Sequence, residues 1–505
     1  MKSQPPNIII VITDQQRSDS MGCYGATWVK TPHLDKLAAG GLVFDRAYCA
    51  NSVCTPSRAS LFSGRYLSRH GAWNVGTYVP EDTVLLSHSL AAVGYRTHYV
   101  GKAHFQPFGA KDGRSLESVY GWKTFYPAFK GPYYGFQTVE LSFGHGTYGL
   151  TGHYGAWLRT QVSEARLEEL NQSAMRGAYD FSCNAYDWQL PTALHSSVWT
   201  VGRAIEFLRN EGRRQPFLLS VGFQDPHHPH VVPNDYADRV SPSAVPLPAW
   251  RPGELDDKPP HFNKTRQGKI DQSEFRGVFE VAGQWRGYNF ADVTEQDARE
   301  ARAYYYTMVQ LIDREMGRLM AALEMEGLVE NTIVVFTTDH GELLGDHGLW
   351  MKGPYHYEQL IRVPLLVRWP AGIPAGGRVS DCVSLVDVAP TLMAVAGCES
   401  TEKMDGCDMR AVWSGAGVMP RSHVVVETVD DPAGLREKTV VTVTRKLSYY
   451  HNQPFGELYD LEKDPGELCN CWNNVAYAAD KGRLMGLLLD HMEPLERREV
   501  RPVYA

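Results

Sequence analysis

Three things are scarce in this chain of 505 residues: long apolar runs, paired cysteines and a surplus of positive charge. No stretch reaches the roughly 20 apolar residues that a membrane-crossing helix needs. The N-terminal run Ile8 to Ile12 gives way at Asp14, too short for a leader's apolar segment followed by a cleavage site. The nine cysteines are scattered and odd in number, so no disulfide framework is implied. Only Cys469 and Cys471 lie close together, and a C-x-C pair without histidine or further cysteine beside it is weak support for a metal. With 50 basic against 58 acidic residues the net charge is −8, which argues against a nucleic-acid-binding surface. The expectation is a cytoplasmic protein with mostly reduced thiols, no nucleic-acid partner and no membrane partner; homo-oligomerisation is left open.

What is present alternates. Asn7–Thr13 is a continuous β-branched apolar run, the pattern of a strand buried on both faces, and it delivers Asp14 and Gln15 at its carboxyl end. Leu42–Phe44, Tyr95–Val100, Pro216–Phe223 and Thr332–Thr338 read as further strands. Between them, residues 31–41, 87–93, 197–210 and 295–326 read as helices, the last from the spacing of Tyr304, Met308, Leu311, Ile312, Met316, Leu319 and Leu323. Such alternation predicts an α/β fold: a large mixed, mostly parallel sheet sandwiched by helices. Past residue 409 the texture changes. Three short β-rich stretches and a closing helix at 481–492 predict a smaller α+β subdomain with an antiparallel sheet over 410–505, after a catalytic domain over 1–409. Residues 106–195 and 232–290, rich in loop formers, are expected to be insertions over a pocket rim. The 12 tryptophans and 26 tyrosines of the chain would suit stacking on a sugar or aryl group there.

Chemistry gathers at the strand ends. Asp14 with Gln15, Lys102 with His104, His227, and Asp339 with His340 each follow a predicted strand. Carboxyl ends of parallel strands share one edge of the sheet, where open α/β folds place their sites. Two carboxylates, an amide oxygen and an imidazole are enough to hold one divalent cation. Lys102, Arg58, His104, His227 and Lys352 would surround it with positive charge and proton donors, which suits a compact, multiply oxygenated anion. Cys54 opens a predicted helix, Pro56 fits its first turn, and Arg58 lies one turn on along the same face. Taken singly, Asp14 and Asp339 could be caps, Lys102 a solvated cation, and His104 or His227 a satisfied loop histidine; their joint placement at successive strand ends argues otherwise.

Cys54-Thr-Pro-Ser-Arg58 followed by Ala59-Ser-Leu-Phe-Ser-Gly-Arg65 resembles the signature of type I sulfatases in the alkaline phosphatase superfamily. The likeness extends to the Asp14 strand, Gly101-Lys-Ala-His104, His227–Pro229, Asp339-His-Gly-Glu342, Gly345–Lys352 and Glu457–Pro465. The resemblance implies that Cys54 is oxidised to formylglycine by a formylglycine-generating enzyme, a transient partner that reads Cys54, Pro56 and Arg58. It implies Asp14, Gln15, Asp339 and His340 as metal ligands with residue 54 as the fifth. Arg58 would orient the hydrated aldehyde and neutralise charge, His104 would act as base, Lys102 and Lys352 would bind sulfate oxygens, and His227 would protonate the leaving alcohol. His347 is given a supporting role only. Gln15 and His340 stand where many members have Asp and Asn. A less anionic, slightly softer ligand set keeps calcium as first choice, with manganese as the alternative. The same variants occur in related phosphonate monoester hydrolases and phosphodiesterases, although those tend to lack the Lys102-x-His104 pair. The expected reaction is hydrolysis of a small sulfate ester of a sugar, aryl or alkyl alcohol. A phosphonate or phosphodiester hydrolase, and a non-catalytic anion-binding protein, are the competing readings.

Overall fold

The computed structural model describes residues 5–111, 113–120, 128–146, 150–175, 185–268, 289–430 and 434–492. In chain order the strands are β1 (Asn7–Thr13), β2 (Leu42–Tyr48), β3 (Arg96–Gly101), β4 (Thr138–Leu141), β5 (Ala185–Trp188), β6 (Phe217–Gly222), β7 (His230–Pro233), β8 (Thr332–Thr338), β9 (Arg362–Val363), β10 (Leu365–Arg368), β11 (Gly377–Ser384), β12 (His423–Asp430), β13 (Leu435–Thr442), β14 (Arg445–Tyr450) and β15 (Gly456–Asp460). Among the described residues nine strands form one sheet in the order β11-β2-β10-β8-β1-β6-β3-β4, with β9 paired to β2. From β8 to β4 every pairing is parallel. The antiparallel β10, inserted between β8 and β2, makes the sheet mixed.

β1 is the central strand because it offers apolar side chains to both faces. Ile8, Ile10 and Ile12 pack into a core with Phe62, Leu90 and Leu392, from the helices Cys54–Ser63, Leu86–Ala92 and Val388–Ala396. Ile9 and Val11 point the other way, into a core with Leu208, Ile312 and Leu319, from the helices Ser196–Glu211 and Glu295–Met325. Each of these isoleucines is fully buried, worth roughly 1.5–3 kcal/mol apiece. The result is the expected α/β sandwich.

The four strands β12–β15 form a separate antiparallel meander. The helix Ala478–Met492 covers it through Leu484 and Leu488, and the same core takes in Ala50, Tyr66 and Val386. The meander is therefore packed directly against the segment that leads into Cys54.

Two expectations change. Residues 106–195 are more than rim insertions: they carry β4, the outer strand of the large sheet, and the helices Gly152–Gln161 and Glu164–Met175. Four-residue β4 is too short for its alternation to stand out in the sequence; its pairing with β3 reveals it. β11 and the Val388–Ala396 helix were likewise not read from the pattern. Within 232–290, residues 269–288 lie outside the described part, and the rest is turn-rich around the helix Pro260–Arg266. Among the described residues no helix is long and apolar enough to cross a membrane.

Candidate active site at the carboxyl edge of the sheet

Cys54 is the first residue of the helix Cys54–Ser63, every residue of which is buried. The turn before it is pinned from several sides. Asn51 Oδ1 accepts from the Val53 amide at 2.7 Å, and its Nδ2 donates to Glu427 O at 2.5 Å. Ser52 Oγ donates to Gly353 O at 2.8 Å and meets Thr428 Oγ1 at 3.1 Å, which in turn meets His356 Nε2 at 2.8 Å. Ser52 thus ties the Cys54 turn to the loop carrying Lys352, with β12 as backing.

Asp14 and Gln15 leave β1 with Gln15 in a left-handed backbone conformation, φ 66°. That geometry is uncommon for a residue with a Cβ. Here Asp339 Oδ1 accepts from the Gln15 amide at 3.1 Å and the Tyr305 hydroxyl donates to Gln15 O at 2.9 Å. Arg58 reaches across: Nε donates to Asp339 Oδ2 at 2.7 Å, Nη2 to Asp14 Oδ2 at 3.2 Å, and Nη1 to Lys102 O at 2.7 Å. Lys102 Nζ also donates to Asp14 Oδ2. Arg58 therefore fixes and neutralises the two carboxylates.

The inward-facing atoms form a coherent donor set. His340 donates through Nδ1 to Gly341 O at 2.9 Å, which leaves the Nε2 lone pair aimed inward, 3.2 Å from Cys54 Sγ. Asp14, Cys54, Asp339 and His340 each offer a ligand atom, all within 4.8 Å of one another and all fully buried. The Gln15 amide nitrogen donates to Glu342 and contacts His228 Nδ1 at 3.1 Å, so Oε1 is a buried oxygen without a hydrogen-bond partner. An orphaned buried acceptor beside two carboxylates and an imidazole lone pair is what a divalent cation requires, and these residues fit one.

Opposite this set is a basic wall. Lys352 Nζ lies 2.7 Å from Cys54 Sγ and 2.8 Å from His227 Nε2. His104 is held by its backbone amide on Glu117 Oε2 at 2.7 Å, leaving ring Nδ1 buried without a hydrogen-bond partner. Burial, then the neighbouring charges, sets the protonation. Burial pushes His104 well below the usual imidazole range, and Lys102 adds to it; burial with His145 and Lys352 does the same to His227. Burial pushes the Cys54 thiol up to about 11, with Asp14 adding to it. Burial would raise the Asp14 carboxyl, but Lys102, Arg58 and Lys352 together hold it well below the usual carboxylate range.

All the sequence-derived site residues meet here: Asp14, Gln15, Cys54, Arg58, Lys102, His104, His227, Asp339, His340 and Lys352. His347 does not. Its Nδ1 pairs with Glu254 Oε1 at 2.5 Å and its ring stacks on Tyr357, 3.6 Å between centroids. Two residues were missed. His228 contacts Gln15, and His145 stacks on His227 with centroids 3.4 Å apart and planes 4° apart, its Nε2 against Lys102 Nζ. The Gly-His-Gly at 144–146 was the one available hint of a tight, purposeful turn.

The sulfatase family profile matches residues 6–398, and that of the N-sulphoglucosamine sulphohydrolase C-terminal region matches 345–493. An uncharacterised sulfatase of Escherichia coli (strain K12) is 28% identical over 97% of this chain and 88% of its own length. An arylsulfatase of Clostridium perfringens is 27% identical, covering 97% of this chain and 95% of its own. Among solved structures, the phosphonate monoester hydrolase of Agrobacterium radiobacter superposes with a TM-score of 0.78 at 23% identity, over 97% of this chain and 96% of its own.

Proposed function

The chain belongs to the sulfatase family and is a sulfuric ester hydrolase, and from that premise we propose that its nucleophile is a formylglycine made from Cys54 by a maturation enzyme. The observation that carries this reading is the placement of Cys54: fully buried at the start of its helix, its Sγ lies among the ligand atoms of Asp14, Asp339 and His340, where a sulfur is a soft group beside hard oxygen ligands and a diol oxygen fits better. A hydrated aldehyde at the same position supplies two hydroxyls. One attacks sulfur and the ester alcohol leaves; deprotonation of the second expels sulfate and restores the aldehyde. Serine or unmodified cysteine would lack that second hydroxyl.

Asp14, Gln15, Asp339, His340 and residue 54 would hold one divalent cation, calcium by preference and manganese as the alternative. When bound, it supplies Lewis acidity toward oxygen. Lys102 and Lys352 hold sulfuryl oxygens, with Lys352 Nζ already 2.7 Å from Cys54 Sγ. His227 is the proton donor to the departing alcohol, its Nε2 lying 2.8 Å from the Lys352 ammonium, which would supply the proton that burial keeps off the resting imidazole. His104, kept neutral by burial, takes the proton of the second hydroxyl. Arg58 keeps the two carboxylates ionised and in place. The 1–409 and 410–505 division is proposed as one functional unit, since β12 braces the nucleophile turn. The substrate is a small sulfate ester of a sugar, aryl or alkyl alcohol, met in the cytoplasm.

A phosphonate or phosphodiester hydrolase is the second reading, favoured by the Gln15 and His340 ligands. Turnover of an aryl sulfate, an aryl phosphonate and a phosphodiester by matured protein separates the two. Sulfate turned over slower than both phosphorus esters sinks the first.

A further inference from the structure

The parallel strands β8, β1, β6 and β3 each deliver site residues from their carboxyl ends: Asp339, Asp14, His227 and Lys102 in turn. β4 is the next parallel strand outward, Leu141 pairing with Gly101, and the turn that follows it carries His145. That turn is built firmly. The Ser142 amide donates to Gly101 O at 3.0 Å, and Phe143 O accepts from Thr151 Oγ1 at 2.9 Å and from Gln224 Nε2 at 3.3 Å. Gly146, at φ 46°, lies so close to the segment after His227 that an added Cβ would come within 2.7 Å of Val231 Cγ2. The loop is laid on the His227 segment, and His145 comes to rest face to face with the His227 ring.

The orientation of His145 is inward. Its Nε2 touches Lys102 Nζ and stands 3.9 Å from Asp14 Oδ2, on the side of the pocket where the transferred group must sit. Its side chain is 21% exposed, whereas that of Lys102 is 1% exposed, so His145 forms the accessible lip of an otherwise closed wall. The pocket then contains two lysine–imidazole pairs, Lys352 with His227 and Lys102 with His145, flanking residue 54.

We propose that His145 is a substrate-contacting residue that, together with Lys102, holds a non-reacting oxygen of the sulfuryl group. An oxygen entering between Nε2 and Nζ takes a hydrogen bond from each, the imidazole adopting its Nε2–H tautomer. This assignment rests on the sulfate-ester reading above. It differs from a stacking role, in which His145 serves only to hold the His227 ring.

The test compares wild type with His145→Phe, which keeps the stack and loses the donor, and His145→Gln, which keeps a donor. Two readouts are taken: binding of inorganic sulfate by isothermal titration, and kcat/KM across aryl sulfates with leaving phenols of graded acidity. The expected result is sulfate binding weakened about tenfold in His145→Phe, the equivalent of about 1.4 kcal/mol, and largely recovered in His145→Gln. The dependence on leaving-group acidity should match wild type. Unchanged sulfate affinity in His145→Phe overturns the proposal in favour of stacking. A steeper leaving-group dependence overturns it in favour of a role on the alcohol. Failure of wild type to turn over any aryl sulfate would strike the sulfate-ester reading, while the titration still reads His145.

Discussion

Replacing Arg58 by alanine should destabilise the metal-free protein more than any surface change, by an amount the structure lets one work out. Arg58 is fully buried and donates to two buried carboxylates and one carbonyl. Asp14 keeps Lys102 as a second cation, but Arg58 is the closest cation to Asp339, whose other close donors are the amides of Gln15 at 3.1 Å and His340 at 2.9 Å. The loss therefore falls on Asp339, and stranding one buried charge costs about 3–5 kcal/mol. At about 2.1 cal/mol/K per residue, unfolding 505 residues carries an entropy of about 1.1 kcal/mol/K, so Tm should fall by roughly 3–5 °C. The assay is a thermal melt in chelator, with both proteins made without the maturation enzyme so that residue 54 is a thiol in each. Added calcium should raise Tm more in the variant than in wild type, because a cation replaces the missing charge between Asp14 and Asp339. A Tm within a degree of wild type, or an equal calcium response, would refute the view of Arg58 as the counter-charge of these carboxylates.

Stability should also fall on acidification through the buried histidines. Burial depresses His230 to about 3 and His70 to about 4, so the folded protein leaves them neutral while the unfolded chain protonates them below about 6.5. The unfolded state then binds more protons, and each such histidine removes about 1.4 kcal/mol per pH unit as pH falls from 6.5 toward its folded value. His230→Phe should lower the acid slope of stability by about one proton between pH 6 and 4, read from denaturant midpoints; an unchanged slope would count against it. Thr428→Val cuts the link between Ser52 and His356 without changing side-chain volume much. It should lower kcat about tenfold, from roughly 1.4 kcal/mol of lost positioning, while peptide mass spectrometry shows Cys54 conversion unchanged. Full kcat in that variant would mean β12 does not brace the nucleophile turn.

The legible part of the molecule was local. β1, β6 and β8 are unbroken apolar runs, and a polar residue at the end of such a run is visible without any knowledge of its neighbours. That is why Asp14, His227 and Asp339 could be placed on one edge before their pairing was known. His145 follows a four-residue strand with alternating burial, between glycines, and its meaning comes only from the register of β4 on β3 and the stack on His227. The brace from Thr428 through Ser52 joins residues 376 positions apart and leaves no trace in either segment. His347 shows the converse: it lies five residues before Lys352 in a family-like stretch, yet its left-handed backbone, φ 59°, turns it toward Glu254 and away from the pocket.

We propose that a group derived from Cys54 hydrolyses a sulfate ester. Preparations carrying graded fractions of converted Cys54, quantified by peptide mass spectrometry, should be assayed side by side on 4-nitrophenyl sulfate and bis(4-nitrophenyl) phosphate. Sulfate turnover should rise in proportion to the converted fraction, exceed phosphodiester turnover throughout, and vanish in Cys54→Ser after a single turnover. Sulfate hydrolysis independent of the converted fraction would contradict the account.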